Sequence, residues 1–260
     1  MTAASESSAL ILKIEPPLAW LTISRPSRRN AMSLEMWRDL PRLCSDIEAR
    51  NDVRAVIVEG AGGHFCAGAD ISEFDSIFAT VEGARQYLGA IESGLTALSR
   101  LDRPSLARIE GSAFGGGLAL ALACDFRVAA DLATFSIPPA KLGLLYGPVE
   151  TQLLVEAVGP AAAKDLLFSS RVLDAKEAAT LGLVNRCVAT KDLADSARAQ
   201  AFAWTKLSQS SIRGAKKAVR AALDADTQTL RALVESAALG EDFREGRTAF
   251  REKRPPRFDS

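Results

Sequence analysis

Two glycine-rich segments, Gly60 to Asp70 and Gly111 to Gly117, hold the residues whose pattern points most directly to chemistry. Each follows a short β-prone run, and the second opens into a stretch of small helix-forming residues. A strand that delivers glycine backbone to a helix N-terminus leaves peptide N–H groups free to face a negative ligand. A phosphate and an enolate oxygen both suit such donors, and tight helix-on-sheet packing is the plain structural alternative. Nucleotide signatures fail on inspection. Neither loop contains G-x-x-x-x-G-K-[ST], and a dinucleotide fingerprint begun at Gly60-Ala61-Gly62 needs glycine where Phe65 stands. His64 is the one histidine, which makes a His-based metal cluster or a Ser/His/Asp triad hard to assemble. For Cys66, two residues on, small-residue packing is a better account than a Cys/His nucleophilic pair.

A second chemical segment runs from Lys141 to Glu150. Tyr146 is a donor to a carboxylate, a proton source for an enolate, or an amphipathic wall residue. Glu150 is either a base raised by burial or a carboxylate balancing the dipole of the helix that begins at Val149.

The elements that must position these groups read as follows. Leu10 to Ile14 and Trp20 to Ile23 form an opening hairpin-like pair around Pro16-Pro17. Helical spacing predicts a helix from Ser33 to about Arg50, kinked at Pro41. Strands are expected at Ala55–Val58, Leu106–Ile109, Phe126–Ala129 and Val184–Val188. Residues 135–148 are expected to be irregular, since Pro138, Pro139, Gly143, Gly147 and Pro148 interrupt them. Pro160 and Asp174 mark helix starts and Gly182 a stop. Beyond Thr190 only helices follow. The expected organisation is a flexible tail over residues 1–9, an α/β core over 10–190 and a helical region over 191–260.

The chain has 260 residues, 48% hydrophobic and 25% charged, which excludes disorder and small disulfide scaffolds. Lys plus Arg (32) equals Asp plus Glu (32), so no net field recruits nucleic acid or anionic membrane. The longest uncharged stretch, Gly111 to Cys124, is too short to span a bilayer. Four dispersed cysteines without a C-x-x-C pair point to reduced thiols and a cytoplasmic location.

Asn30-Ala31-Met32, His64 to Ile71, Glu110 to Gly117, Ala123-Cys124-Asp125, Leu181 to Val184 and Glu245-Gly246-Arg247 through Arg254 together resemble the crotonase superfamily, the enoyl-CoA hydratase/isomerase group. The resemblance implies an α/β crotonase-like spiral of ββα repeats with a helical C-terminal trimerisation region, assembled as homotrimers or homohexamers. It implies an oxyanion hole formed by the backbone N–H groups of Ala69 and Gly116, which would stabilise a thioester enolate by about 3 to 4 kcal/mol per donor. It also implies acyl-CoA contacts at Arg28, Arg29, Ala31, Ala67, Asp70, Ile71, Phe114, Gly115, Pro138 and Leu142. Phe250 and Lys253 correspond to a C-terminal pair that reaches the nucleotide, in some cases from a neighbouring subunit. Coenzyme A belongs to the substrate, and no separate cofactor or metal is expected.

Hydratases of this group use two glutamates for general acid/base work. At the corresponding positions this chain has Ala119 and Pro139. Three functions compete. The first is an acyl-CoA enzyme of the hydratase/isomerase family in which Tyr146 or Glu150 replaces the missing acid/base. The second is a malonyl-type acyl-CoA decarboxylase, which generates its enolate without a base. The third is a catalytically silent CoA-ester binder. An RNA-binding relative is disfavoured by the zero net charge and the lack of a basic patch interleaved with aromatics. The first is the expectation carried forward.

Overall fold

A computed structural model describes residues 9–258. The expected tail therefore lies outside the described residues except for Ala9, whose carbonyl accepts from Ser24 N–H at 2.7 Å. β1 (Leu10–Glu15) and β2 (Leu18–Ile23) pair antiparallel, in full register from Leu10 opposite Ile23 to Glu15 opposite Leu18. α1 (Leu34–Glu48) follows, capped by the Ser33 hydroxyl, which accepts from Met36 N–H. It buries Met36, Trp37, Leu40, Leu43, Cys44 and Ile47, the face set by their helical spacing. The helix runs as one element through Pro41, which lacks only the N–H that would have bonded the Trp37 carbonyl.

β3 (Ala55–Gly60) then lies parallel to β2. After the first glycine loop come α2 (Phe74–Ile77) and α3 (Val81–Ser99). α3 is a 19-residue helix unforeseen in the sequence, capped by the Thr80 hydroxyl and packed on α1 through Tyr87, Ile91, Gly94, Leu95 and Leu98. β4 (Ser105–Ile109), β5 (Ser112–Phe114), α4 (Gly116–Leu122) and β6 (Phe126–Ala130) complete the next turn. The segment expected to be irregular contains β7 (Thr134–Ser136) and one helical turn, α5 (Pro139–Leu142). Pro138 and Pro139 start that turn instead of breaking it, because proline suits the first helical positions.

α6 (Pro148–Ser169) is broken at Gly159, whose φ of 74° lies outside the helical range, and Pro160 begins the second half as its residue type predicts. β8 (Val172–Asp174) leads into α7 (Ala175–Leu181), capped by Asp174 and stopped by Gly182 in the left-handed region. β9 is shorter than expected, Arg186–Val188. The Val184 N–H bonds the Ala178 carbonyl and so closes the end of α7 instead of joining the sheet.

The strands make two sheets, a six-stranded β1-β2-β3-β4-β6-β9 and a three-stranded β5-β7-β8. From β4 to β7 the chain alternates between them, β8 stays beside β7 in the second sheet, and β9 returns to the first. Of the C-terminal helices, α8 (Leu193–Trp204) packs on β3, β4 and β6 through Leu193, Ala197 and Ala201. α9 (Gln209–Leu223) is tied to the core by the Lys216 ammonium, 2.7 Å from the Asp125 carboxylate. That carboxylate also accepts from Ser105 N–H and Oγ. α10 (Thr227–Leu239) buries no residue within the chain, and α11 (Glu241–Glu252) buries Ala249. No helix among the described residues is long and apolar enough to cross a membrane.

Candidate active site

The second layer brings the two glycine loops together. Cys66 and Ala113 form a parallel bridge: Cys66 N–H bonds the Ser112 carbonyl at 3.0 Å and Phe114 N–H bonds the Cys66 carbonyl at 3.0 Å. Three residues beyond each bridge partner stand Ala69 and Gly116. A Cβ on Gly116 would lie 3.9 Å from the Ala69 nitrogen, so the two amides are neighbours. Neither N–H has a hydrogen-bond partner among the described residues, and Gly116 is the first residue of α4, where helical geometry supplies none.

The carbonyl oxygens of the same two peptide units are occupied. Gly68 O accepts from Met32 N–H at 2.8 Å. Gly115 O accepts from Ala119 N–H at 3.1 Å and from the Tyr146 hydroxyl at 2.7 Å. Gly115 N–H is in turn held by the Ser136 carbonyl at 2.9 Å. Gly68 has φ of 106°, and a Cβ there would meet the Phe114 carbonyl oxygen at 2.8 Å, so only glycine lets the first loop approach the second this closely.

Asn30 and Arg25 anchor the first loop from below. The fully buried Asn30 amide donates to the carbonyls of Ala61 and His64 at 2.7 and 2.6 Å, and its oxygen accepts from Arg25 N–H. The Arg25 guanidinium donates to the Ala31 carbonyl and pairs with Asp70 at 2.9 Å. Burial pushes the Asp70 carboxyl up, but the Ser72 hydroxyl and N–H together with Arg25 outweigh it and hold its pKa below the ordinary carboxylate range. The segments 29–32 and 67–70 pair along their backbones, Ala67 N–H to Arg29 O and Asp70 N–H to Met32 O, both at 2.9 Å. This pairing gathers Arg28, Arg29, Ala31, Ala67, Ala69, Asp70 and Ile71 along one ridge. Arg28, Arg29 and Ile71 are exposed on it, whereas Asp70 is buried.

Phe114, Gly115 and Pro138 sit on the opposite side, with Pro138 Cδ 3.8 Å from where a Gly115 Cβ would be. Leu142, at the end of α5, is 57% exposed. Phe250 and Lys253 lie on α11 and at its C-cap, where α11 packs on α10, and Phe250 is 86% exposed. Within one subunit they are not drawn to the two loops.

The Trp37 ring flanks Gly116, its Cζ2 3.2 Å from the Cβ position. Phe74, Phe78 and Tyr87 contact one another edge to face, with centroids 5.1 to 5.9 Å apart. Trp37 Nε1 and Tyr87 Oη are both buried and neither has a partner at full hydrogen-bond distance, although the Trp37 indole is near enough to favour the Tyr87 oxygen electrostatically. The roles of Arg25, Trp37 and Tyr87 left no motif in the sequence. Trp37 was legible there only as a core position of α1.

Glu150 is buried in the first turn of α6. Burial raises its pKa, against the N–H groups of Glu150 and Gly147, which stabilise the charge, and with Glu92 adding repulsion. Burial likewise raises the Tyr146 phenol, and the nearby Glu150 charge adds to it. The Tyr146 hydroxyl is committed to the Gly115 carbonyl. Cys66 is fully buried with its thiol pushed up to about 12 by desolvation, so it is no nucleophile at neutral pH. Its sulfur instead accepts from Gly68 N–H at 3.4 Å. His64 Nδ1 lies 3.2 Å from Ser112 Oγ. Ala119 is fully buried in α4, and Pro139 opens α5.

The chain matches the enoyl-CoA hydratase/isomerase family model over residues 13–260. It is 36% identical over 242 residues to the probable enoyl-CoA hydratase echA8 of Mycobacterium tuberculosis, covering 92% of this chain and 93% of that protein. It is 35% identical over 247 residues to the human mitochondrial methylglutaconyl-CoA hydratase, covering 92% of this chain and 72% of that one. Among solved structures, a putative enoyl-CoA hydratase/isomerase family protein from Hyphomonas neptunium superimposes with a TM-score of 0.93 at 40% identity, covering 96% of this chain and 97% of the other. An enoyl-CoA hydratase from Bacillus anthracis gives 0.89 at 30% identity, covering 96% and 99%. With a crotonase fold and this extent of similarity, the chain belongs to the enoyl-CoA hydratase/isomerase family.

Proposed function

We propose that the protein is an acyl-CoA enzyme that stabilises a thioester enolate between the N–H groups of Ala69 and Gly116. The observation that carries this reading is the pair of neighbouring, partnerless N–H groups, each on a peptide whose carbonyl is already bonded. Such donors need no reorganisation when negative charge develops on the thioester oxygen, and each contributes about 3 to 4 kcal/mol to the transition state. The ridge of Arg28, Arg29, Ala31, Ala67, Asp70 and Ile71 receives the coenzyme A portion, with the two arginines available to its phosphates. Coenzyme A arrives as part of the substrate, so no separate cofactor is required.

α9, α10 and α11 leave Val219, Leu223, Val234, Leu239, Phe243 and Phe250 exposed, in keeping with a homotrimer or a dimer of trimers whose neighbours cover them. In that arrangement Phe250 and Lys253 serve the nucleotide of an adjacent subunit. Buried free thiols at Cys44, Cys66 and Cys124 are in keeping with a cytoplasmic location.

Decarboxylation of a malonyl-type thioester is the second reading, favoured by Ala119 and Pro139 at the positions of the family's glutamates. There the bond to the carboxylate breaks, its electron pair becomes the enolate, carbon dioxide leaves, and a proton later returns to carbon. No base is needed, and the oxyanion donors supply most of the stabilisation.

Mass spectrometry of enoyl-, malonyl- and saturated acyl-CoA thioesters after incubation in deuterated water tests these readings. Gain of water identifies a hydratase, loss of carbon dioxide a decarboxylase, and α-deuterium uptake an enolising or isomerising enzyme. Binding without any of the three would make the protein a silent CoA-ester binder and overturn the enzymatic reading.

A further inference from the structure

The geometry points to Tyr146 as a positioning residue that acts through the Gly115–Gly116 peptide and not on the substrate. This rests on the oxyanion-hole reading above and deepens it. The Tyr146 hydroxyl donates to the Gly115 carbonyl at 2.7 Å, shorter than the 3.1 Å bond which that oxygen takes from Ala119 N–H inside α4. The carbonyl oxygen and the Gly116 N–H are opposite ends of one planar amide. Donors at the oxygen draw electron density along that amide and make its N–H a stronger donor, because hydrogen bonds in a chain polarise one another. The same bond fixes the plane of the peptide and so the direction in which the N–H points.

The two donors of the hole differ in this respect. The Gly68 carbonyl, on the Ala69 peptide, takes the Met32 backbone N–H at 2.8 Å and only the weak Cys66 thiol donor at 3.7 Å, whereas the Gly115 carbonyl carries the much stronger Tyr146 hydroxyl donor at 2.7 Å. Tyr146 is thus the side chain through which the strength of a main-chain donor is set. Its phenol is raised above the ordinary tyrosine range by burial and by Glu150, so it remains protonated and donating through neutral and alkaline pH. A phenol whose proton is committed to Gly115 has only its acceptor lone pairs free. That disposition suits a peptide clamp better than proton delivery to an enolate.

Tyr146→Phe removes the donor and little else, and two readouts follow it. The first is the Gly116 amide resonance of the unliganded protein, located by sequential backbone assignment among the three amides, Gly63, Gly116 and Gly117, that paired 13C-carbonyl and 15N glycine labels select. The second is the infrared thioester band of bound butyryl-CoA labelled with 13C at that carbonyl, measured beside butyryl-CoA affinity and the rate of α-deuterium uptake. In Tyr146→Phe the Gly116 proton is expected to move upfield and the thioester band to return part of the way to its free frequency. Affinity should stay within about threefold, and the rate constant should fall about tenfold with KM little changed. An unmoved Gly116 resonance with collapsed turnover would overturn the proposal and place the phenol on the substrate. An unmoved resonance with unchanged turnover would overturn it as well. A wild-type thioester band at the free frequency would remove the hole itself, and with it this role for Tyr146, whatever the amide does. Should Tyr146→Phe fail to fold, 3-fluorotyrosine at position 146 keeps the shape and strengthens the donor. The band should then fall below its wild-type position, and no movement would refute the clamp.

Discussion

Cys66 and Ala113 face one another in a parallel bridge between the two glycine loops, and Ala69 and Gly116 lie three residues beyond them along the chain. The pairing of two successive spiral turns therefore sets the register of the two amides along the chain. Disturbing the approach of one loop to the other should damage both donors together.

Gly68→Ala makes that disturbance. The substitution puts a Cβ 2.8 Å from the Phe114 carbonyl oxygen on a residue with φ of 106°. The expected cost is about 1 to 3 kcal/mol of stability and a loss of turnover of about a hundredfold or more. Thermal melts and steady-state kinetics on the active thioester check it. A variant with wild-type turnover would show that the loops do not need this contact.

Asp70 links the loop to acid stability. Its pKa is depressed, so the native state binds fewer protons than the unfolded chain and gains stability above the unfolded value of about 3.9. That contribution is lost as pH falls through the native value. Asp70→Asn should therefore reduce stability at neutral pH and flatten its decline below about pH 4. Urea unfolding across the acid range reads both effects.

Glu150 has the opposite sign. Its raised pKa means that the native state binds the proton more tightly, so its contribution is present at low pH and lost as pH rises through the native value. Glu150→Gln should raise stability at neutral pH and remove that slope. If the carboxyl also moves a proton in the reaction, the same variant loses one limb of the pH–rate profile.

Tyr87 offers a stability test of a different kind. Its hydroxyl is buried with only a weak, long approach of the Trp37 indole, so Tyr87→Phe deletes a polar atom whose desolvation cost is not offset by a full hydrogen bond. Stability should stay the same or rise, by no more than about 1 kcal/mol. A clear loss would mean that the Trp37 indole closes to a full hydrogen bond with the hydroxyl in solution.

Much of the scaffold was legible in advance because its signals are local. The Ser33 and Asp174 caps, the Gly182 stop and the apolar runs of β3, β4 and β6 each depend on a few adjacent residues. α3 was missed because Gly83, Gly89 and Gly94 dilute its helical pattern, although Gly94 is needed where the helix crosses Trp37 and Leu40 of α1. The short strand and helical turn at residues 134–142 were hidden by a pair of prolines that read equally well as breakers or as a helix start. At the site, motif resemblance indicated the two backbone donors, but not what holds them. The Arg25–Asp70 pair spans 45 positions and the Tyr146–Gly115 bond 31, and separations of that size leave no periodic trace.

Ala69 and Gly116 present main-chain N–H groups, and every residue type except proline carries one. No single amino-acid replacement short of proline can delete such a donor, whereas a catalytic glutamate disappears with one codon. The fold thus separates what is inherited with the chain trace from what is free to drift. Where the resemblance places the family's acids this chain has Ala119 and Pro139, and the amides of Ala69 and Gly116 are present all the same. On the proposed function, the side chains around this fixed pair of peptides decide which reaction follows the enolate.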